Sequence, residues 1–170
     1  MEKIRWTKYR VLVTNKCNYR CPFCHNEGQD KSTKNDFMTL EDFRMLVDLL
    51  TTEDIEELNI SGGEPFINKH IVNMIEYADT HLKCDISCAT NLSLISQSQI
   101  KRLARTRVKL NIQFPYVDEE SFKESTGNGN KDTILKNIKL CKEANVDVGL
   151  NTVVQNADVQ KYERIILFAI

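Results

Sequence analysis

A partial β/α barrel of about five strand–helix units is the fold class predicted for this α/β chain of 170 residues. Three observations predict it. Short apolar, β-branched runs alternate with stretches of helical periodicity. The lengths between them suit parallel strands joined by right-handed crossovers. Polar residues recur at alternate positions of four strands, where a strand covered on both faces would be apolar throughout.

Taken in order, Tyr9 to Thr14 reads as the first strand, mostly apolar and β-branched, and it runs into a cysteine-rich loop. Thr39-Leu40-Glu41-Asp42 has the form of a capping box, and Leu40, Phe43, Leu46, Val47 and Leu50 then recur at helical spacing. Glu57 to Ser61 is a second strand ending in Ser61-Gly62-Gly63-Glu64-Pro65, and Lys69 to Leu82 is a helix with the stripe Ile71, Met74, Ile75 and Ala78. Cys84 to Thr90 is the third strand, Ser96 to Arg105 the third helix, Val108 to Phe114 the fourth strand and Asp132 to Ala144 the fourth helix. Asp147 to Val154 makes the fifth strand, and a fifth helix begins at Ala157.

The alternating polar residues are Asn59 and Ser61, Ser87 and Asn91, Asn111 and Gln113, and Asn151. They are expected to face a wet interior or the C-terminal mouth, where β/α barrels place their active sites. The plainer alternative is that they satisfy loop backbone groups.

The 23 basic and 24 acidic residues nearly cancel, which gives no reason to expect nucleic acid or a membrane surface as partner. No apolar run approaches the roughly 20 residues of a membrane span, and Met1-Glu2-Lys3-Ile4-Arg5-Trp6 lacks the apolar core of a secretion signal. Six cysteines without an export signal point to a reducing, cytoplasmic setting, with metal ligation or buried thiols ahead of disulfides. Repeats, low-complexity tracts and Pro/Gly-rich linkers are missing, so residues 1–170 are expected to form one domain.

The chemistry concentrates in Cys17-Asn18-Tyr19-Arg20-Cys21-Pro22-Phe23-Cys24, a C-x3-C-x2-C spacing. A short loop can wrap three such thiolates around one centre, and thiolates suit zinc or an iron–sulfur cluster. Structural zinc is normally closed by four protein ligands, and His25, adjacent to Cys24, could hardly reach the same tetrahedral centre. Three thiolates on a four-iron cluster leave one iron open to a small molecule. Cys84 and Cys88 lie four apart, roughly 13 Å along a strand and too far for a shared metal. With Cys141 they are expected to be buried small hydrophobes. His70 and His81 flank an amphipathic helix as surface or cap residues, while His25-Asn26-Glu27-Gly28 continues the cysteine loop.

The cysteine loop, with the glycine motif Ser61 to Pro65 downstream at a strand end, resembles the signature of the radical S-adenosylmethionine (SAM) enzymes. The resemblance implies an incomplete form of that family's six-stranded barrel and two cofactors, a [4Fe-4S] cluster on Cys17, Cys21 and Cys24, and SAM chelated to the open iron. It further implies SAM contacts from Phe23, Ser61, Gly62, Gly63, Glu64, Pro65, Thr90, Asn91, Gln113 and Asn151. A reductase, flavodoxin or ferredoxin would supply the electron for reductive cleavage of SAM to a 5′-deoxyadenosyl radical, and the partner abstracted from would be a small-molecule substrate.

Within that family the chain is most similar to the GTP cyclase that begins molybdenum-cofactor synthesis. The likeness runs through Thr14 to Cys21, His25 to Gly28, Ala89-Thr90-Asn91, Phe122-Lys123-Glu124-Ser125-Thr126-Gly127 and Asn151-Thr152-Val153-Val154. Two places differ: the usual Thr-Asn-Gly reads Thr90-Asn91-Leu92, and the usual Ser-Leu-Asp reads Gln113-Phe114-Pro115. A sixth strand and a C-terminal cluster-bearing region are not seen, which implies either a core domain truncated at its C-terminal side or a partner chain that completes the barrel. Two other readings stand beside a nucleotide-directed enzyme: a peptide- or protein-modifying maturase or activase, and a non-catalytic metal-binding interaction module.

Overall fold

Each strand begins where the apolar periodicity switches from helical spacing to alternation, and each connection returns to start the next strand beside the last. The result, in a computed structural model that describes residues 6–24, 37–153 and 159–169, is one parallel sheet in the order β1-β2-β3-β4-β5. The strands are β1 (Lys8–Leu12), β2 (Glu57–Ser61), β3 (Asp85–Thr90), β4 (Lys109–Gln113) and β5 (Asp147–Asn151). Sequential order with crossovers of one hand places the helices in a single outer layer. Accordingly α1 (Leu40–Leu50), α2 (Ile71–His81), α3 (Gln97–Leu103) and α5 (Lys131–Glu143) pack side by side around it.

Alternation sorts the strand side chains. Val11, Leu58, Ile60, Ile86, Cys88, Leu110 and Ile112 are buried under the helices. Between them the other face carries a polar row in register, Arg10 beside Asn59, Asn59 beside Ser87, and Ala89 beside Asn111 beside Gly149. Arg10 of β1 and Asn151 of β5 stand on opposite edges of the sheet yet line one cavity, so the sheet is curled. Of the polar residues expected to face a wet interior, Asn59, Ser61, Asn91, Asn111, Gln113 and Asn151 border cavities on the concave side, whereas Ser87 borders neither and is buried, accepting from Asn59 at 2.7 Å and donating to Glu57 at 2.8 Å.

The local signals behave as chemistry dictates, with a few shifts. Thr39 caps α1 and accepts from the Asp42 N–H at 3.1 Å, but Asp42 answers through the Thr39 hydroxyl at 2.7 Å, its short side chain meeting the cap's side chain instead of its backbone. Ser96 and Gln99 form the full reciprocal box at the start of α3. The second helix starts later than expected, at Ile71, because Pro65–Ile67 forms a separate 3-10 turn and Asn68 bonds outward to the carbonyls of Val13 and Met38, both at 3.0 Å. An unanticipated helix, α4 (Glu119–Thr126), precedes α5. Asp118 caps it, accepting from Ser121 N–H at 2.8 Å, and Gly127 closes it at φ +75°. The fifth strand ends at Asn151, and the last helix, α6, spans Val159–Ala169. Cys84, Cys88 and Cys141 are buried as expected; burial pushes the Cys141 thiol up to about 11. His25 to Gly28 and Val154 lie outside the described residues.

The departure at Leu92 has a backbone consequence. Leu92 sits at φ +59°, the left-handed region where glycine is at ease, and is fully buried. Its N–H donates to the Thr90 hydroxyl at 2.8 Å and its carbonyl accepts from Asn137 at 2.8 Å. Left-handed backbone costs an ordinary residue about 1–2 kcal/mol, while burial of a leucine side chain returns about 1.5–3 kcal/mol. Leu92→Ala is therefore expected to cost about 2–5 kcal/mol, and Leu92→Gly no more than Leu92→Ala despite the smaller side chain. Urea denaturation of the two variants checks the order.

Candidate cofactor site

The cysteine loop starts where β1 leaves the sheet, and it is held from three sides. On the β2 side the two chains touch: Gly63 N–H donates to Thr14 O at 2.9 Å and Glu64 N–H to Lys16 O at 2.6 Å. A methyl group on Gly62 would lie 2.5 Å from Thr14 O, and one on Gly63 would lie 2.2 Å from Lys16 O and 2.9 Å from Cys17 N. Only glycine permits that approach. On the α4 side, Arg20 N–H donates to Thr126 O at 3.0 Å, Asn128 donates to Asn18 O at 3.0 Å, and Gly127 packs on the Arg20 carbonyl. Thr126-Gly127, read from sequence only as part of a likeness, is thus the second clamp. On the β3 side, Asn91 and Ser93 bond to Asn18 at 2.9 and 2.8 Å.

Within the loop, Cys24 N–H closes a turn on Cys21 O at 3.1 Å, and Tyr19 N–H points at the Cys17 sulfur at 3.4 Å. The Arg20 guanidinium folds back onto the carbonyls of Cys17 and Tyr19 at 3.0 and 2.9 Å. Cys17, Cys21 and Cys24 are half-buried, form no disulfide and border one cavity of about 280 Å³. Its wall also takes in Phe23, Ser61, Gly62, Gly63, Thr90, Asn91, Gln113 and Asn151, eight of the ten residues expected to contact SAM.

The other two are held behind that wall. Glu64 is fully buried, its carboxylate accepting from Phe66 N–H at 3.0 Å, the Thr90 hydroxyl at 2.7 Å and Asn91 N–H at 2.7 Å. Burial pushes its pKa up, against those three bonds, which favour the charged form. Pro65 is buried in the following 3-10 turn. The motif's carboxylate ties β2 to the end of β3 and is not directed into the cavity.

Sequence reasoning passed over Arg10, Tyr19 and Val153, which also line the cavity. Arg10 donates to the Ser61 hydroxyl at 2.9 Å and borders a second, deeper cavity with Asn59, Asn111 and Asn151. A charged residue between the apolar Tyr9 and Val11 of the first strand was the available signal. Gln113 reaches the wall with its amide nitrogen buried and unpartnered.

The thiols fit a thiolate-bound cluster in their chemistry. Burial, then the Cys17 and Cys24 thiolates, push Cys21 up to about 12, and burial raises Cys17 as well. Thiolates crowded this way need a cation to hold them ionised. Among the described residues no three Cys, His, Asp or Glu side chains converge on a single ion.

Residues 11–169 match the Radical SAM superfamily, and the chain belongs to it. It is 31% identical over 147 residues to the GTP 3',8-cyclase of Clostridium perfringens, an alignment that takes in 85% of this chain and 46% of the relative. The chain thus spans about half the length of the curated relatives it matches. Among solved structures it resembles Streptococcus suis SuiB bound to S-adenosylmethionine, with a TM-score of 0.86 and 18% identity over 98% of this chain and 38% of that one. It also resembles native anSMEcpe with bound AdoMet, with a TM-score of 0.78 and 18% identity over 96% of this chain and 48% of that one. At that identity the two structures speak for the fold, an α/β partial barrel.

Two outcomes follow from this geometry. Gly63→Ala is expected to push the loop off β2, destabilising the chain by about 1–3 kcal/mol or more in urea and raising the reactivity of Cys17 toward thiol reagents. Because the thiols bind metal only as thiolates and Cys21 is pushed up to about 12, loading with iron and sulfide should rise with pH between about 7 and 9 and release protons. Loading that is independent of pH and releases no protons in weak buffer would rule these cysteines out as ligands.

Proposed function

We propose that this chain, as a member of the radical SAM superfamily, is the catalytic core of an enzyme that cleaves SAM reductively to abstract hydrogen from a small molecule, with a nucleotide as the first candidate. The observation that carries the reading is the convergence of Cys17, Cys21, Cys24, Gly62 and Gly63 on one cavity at the C-terminal mouth of the sheet. When bound, a [4Fe-4S] cluster would supply the one-electron reduction, drawn from an external donor, that cleaves the C–S bond of SAM.

The residues of the chain place and shelter that chemistry. Cys17, Cys21 and Cys24 would hold the cluster, each offering one thiolate, and so three protein ligands in all. Gly62 and Gly63 present bare backbone to the ligand, and Phe23 offers an aromatic face. Gln113 lines the cavity, and a carboxamide there suits an acceptor on the ribose or carboxylate. Ser61, Thr90, Asn91 and Asn151 complete the wall, while Glu64 and Pro65 support it from behind.

The substrate reading rests on the cyclase likeness and on Arg10. A guanidinium suits a phosphate or carboxylate, and Arg10 sits with the amides Asn59, Asn111 and Asn151 below the SAM wall. An acceptor-rich, anionic small molecule fits this lining better than an apolar peptide side chain. We take residues 1–170 as a single core domain that works with a one-electron donor of the flavodoxin, ferredoxin or reductase type. No helix among the described residues is long and apolar enough to cross a membrane.

The test is anaerobic reconstitution with iron and sulfide, dithionite reduction with SAM, and chromatography for 5′-deoxyadenosine. Product is expected, lost on replacing Cys17, Cys21 or Cys24 by Ala and kept in Cys141→Ala; one zinc per chain and no product would overturn the reading. Arg10→Gln is expected to keep substrate-free SAM cleavage but weaken substrate binding. One charge-assisted hydrogen bond is worth about 1.5–3 kcal/mol, so the dissociation constant should rise roughly ten- to a hundredfold, read as the concentration dependence of coupled turnover.

A further inference from the structure

Glu64 leads to a neighbour whose side chain has a more specific task. We propose that Asn91 is a positioning residue that sets the reduction potential of the cluster through the sulfur of Cys17. The inference rests on the cluster assignment made above. The Asn91 amide nitrogen lies 2.9 Å from Asn18 Oδ1 and 3.9 Å from Cys17 Sγ. A carboxamide nitrogen carries two hydrogens: one goes to Asn18 and the other faces the sulfur.

The orientation of that amide is determined by its partners. Asn91 Oδ1 accepts from Ser93 N–H at 2.9 Å and from the Ser93 hydroxyl at 2.6 Å. The Ser93 oxygen in turn accepts from Asn18 Nδ2 at 2.8 Å, so Asn91, Asn18 and Ser93 close a ring in which every donor meets an acceptor. Exchanging the oxygen and nitrogen of Asn91 would set its NH2 against the Ser93 N–H and its oxygen against both Asn18 Oδ1 and the sulfur. The backbone is held too: Asn91 N–H donates to Glu64 Oε2 at 2.7 Å, and the left-handed turn at Leu92 at φ +59° brings Ser93 back to close the ring.

A donor aimed at a ligating sulfur draws charge from it and stabilises the more negative, reduced cluster, which raises its potential. The Tyr19 N–H, at 3.4 Å, acts on the same sulfur in the same direction. Cys17 is thereby the thiolate that would share its charge with the segment after β3 and with the loop.

The test is an anaerobic redox titration of the reconstituted chain, followed by electron paramagnetic resonance of the reduced cluster. Asn91→Leu removes the donor at similar size, and Asn91→Asp replaces it with an acceptor that carries charge. Both are expected to retain four irons and to shift the midpoint to lower potential, Asn91→Asp further than Asn91→Leu. Ser93→Ala, which removes one of the two donors that fix the amide and leaves the Ser93 N–H in place, should shift it the same way by less. If Asn91→Leu fails to hold iron, Asn91→Asp decides by the same titration. An unchanged midpoint in iron-loaded Asn91→Asp would overturn the proposal, as would loss of iron from both Asn91 variants, which would make the residue a requirement of folding. A wild-type chain that holds no four-iron cluster would instead overturn the functional reading beneath it.

Discussion

The backbone between Thr14 and Cys17 lies against Gly62 and Gly63 with no room for a methyl group between them, and the cofactor site depends on that contact. Two hydrogen bonds, from Gly63 to Thr14 and from Glu64 to Lys16, hold the strands' ends together past the last residue of the sheet ladder. The parallel pairing of β1 and β2 is thereby extended into the loops, and the first cysteine emerges at a set height above the sheet. A side chain at either glycine would separate the cysteines from the wall that faces them.

The carboxylate next in sequence carries the constraint one strand further. Glu64 is buried with no cationic partner among the described residues, and three hydrogen-bond donors from the turn and from the end of β3 and the residue after it stand in for one. Isolated buried carboxylates are costly, and the arrangement persists only because all its partners are backbone or short side chains held by the sheet itself. β3 in turn reaches the cysteine loop through Asn91, Ser93 and Asn18. Three segments far apart in sequence thus share one polar lattice, and the α4–α5 turn adds a fourth through Thr126 and Asn128.

The two faces of the sheet divide the work between stability and chemistry. Under the helices, Leu58, Ile60, Cys88, Leu110, Ile112 and Phe114 make a closed apolar core. On the concave side, Arg10, Asn59, Asn111, Gln113 and Asn151 keep the space wet and leave hydrogen-bonding groups for a ligand. A curl is needed to make those groups converge, and the relation of Arg10 to Asn151 across the sheet shows it. The thiols sit at the rim between the regimes, where partial burial disfavours the ionised form of Cys17 and Cys21 until metal is bound.

What the sequence by itself determined is local. Period-two alternation, caps at Thr39 and Ser96, the C-x3-C-x2-C loop and the paired glycines are each written within a few residues, so strands, helices and the thiol-rich loop could be read directly. The family likeness supplied the cofactors and most of the cavity wall. Helix α4 escaped notice because its apolar face is short, although Asp118 and Gly127 mark its ends. Tertiary structure decided where side chains point once the sheet curls. It turned the Glu64 carboxylate behind the cavity, brought Arg10 into it, and made Leu92 adopt a glycine-like backbone in exchange for burial. Such outcomes depend on the distance between segments that only the packed sheet brings together, and no spacing along the chain encodes that distance.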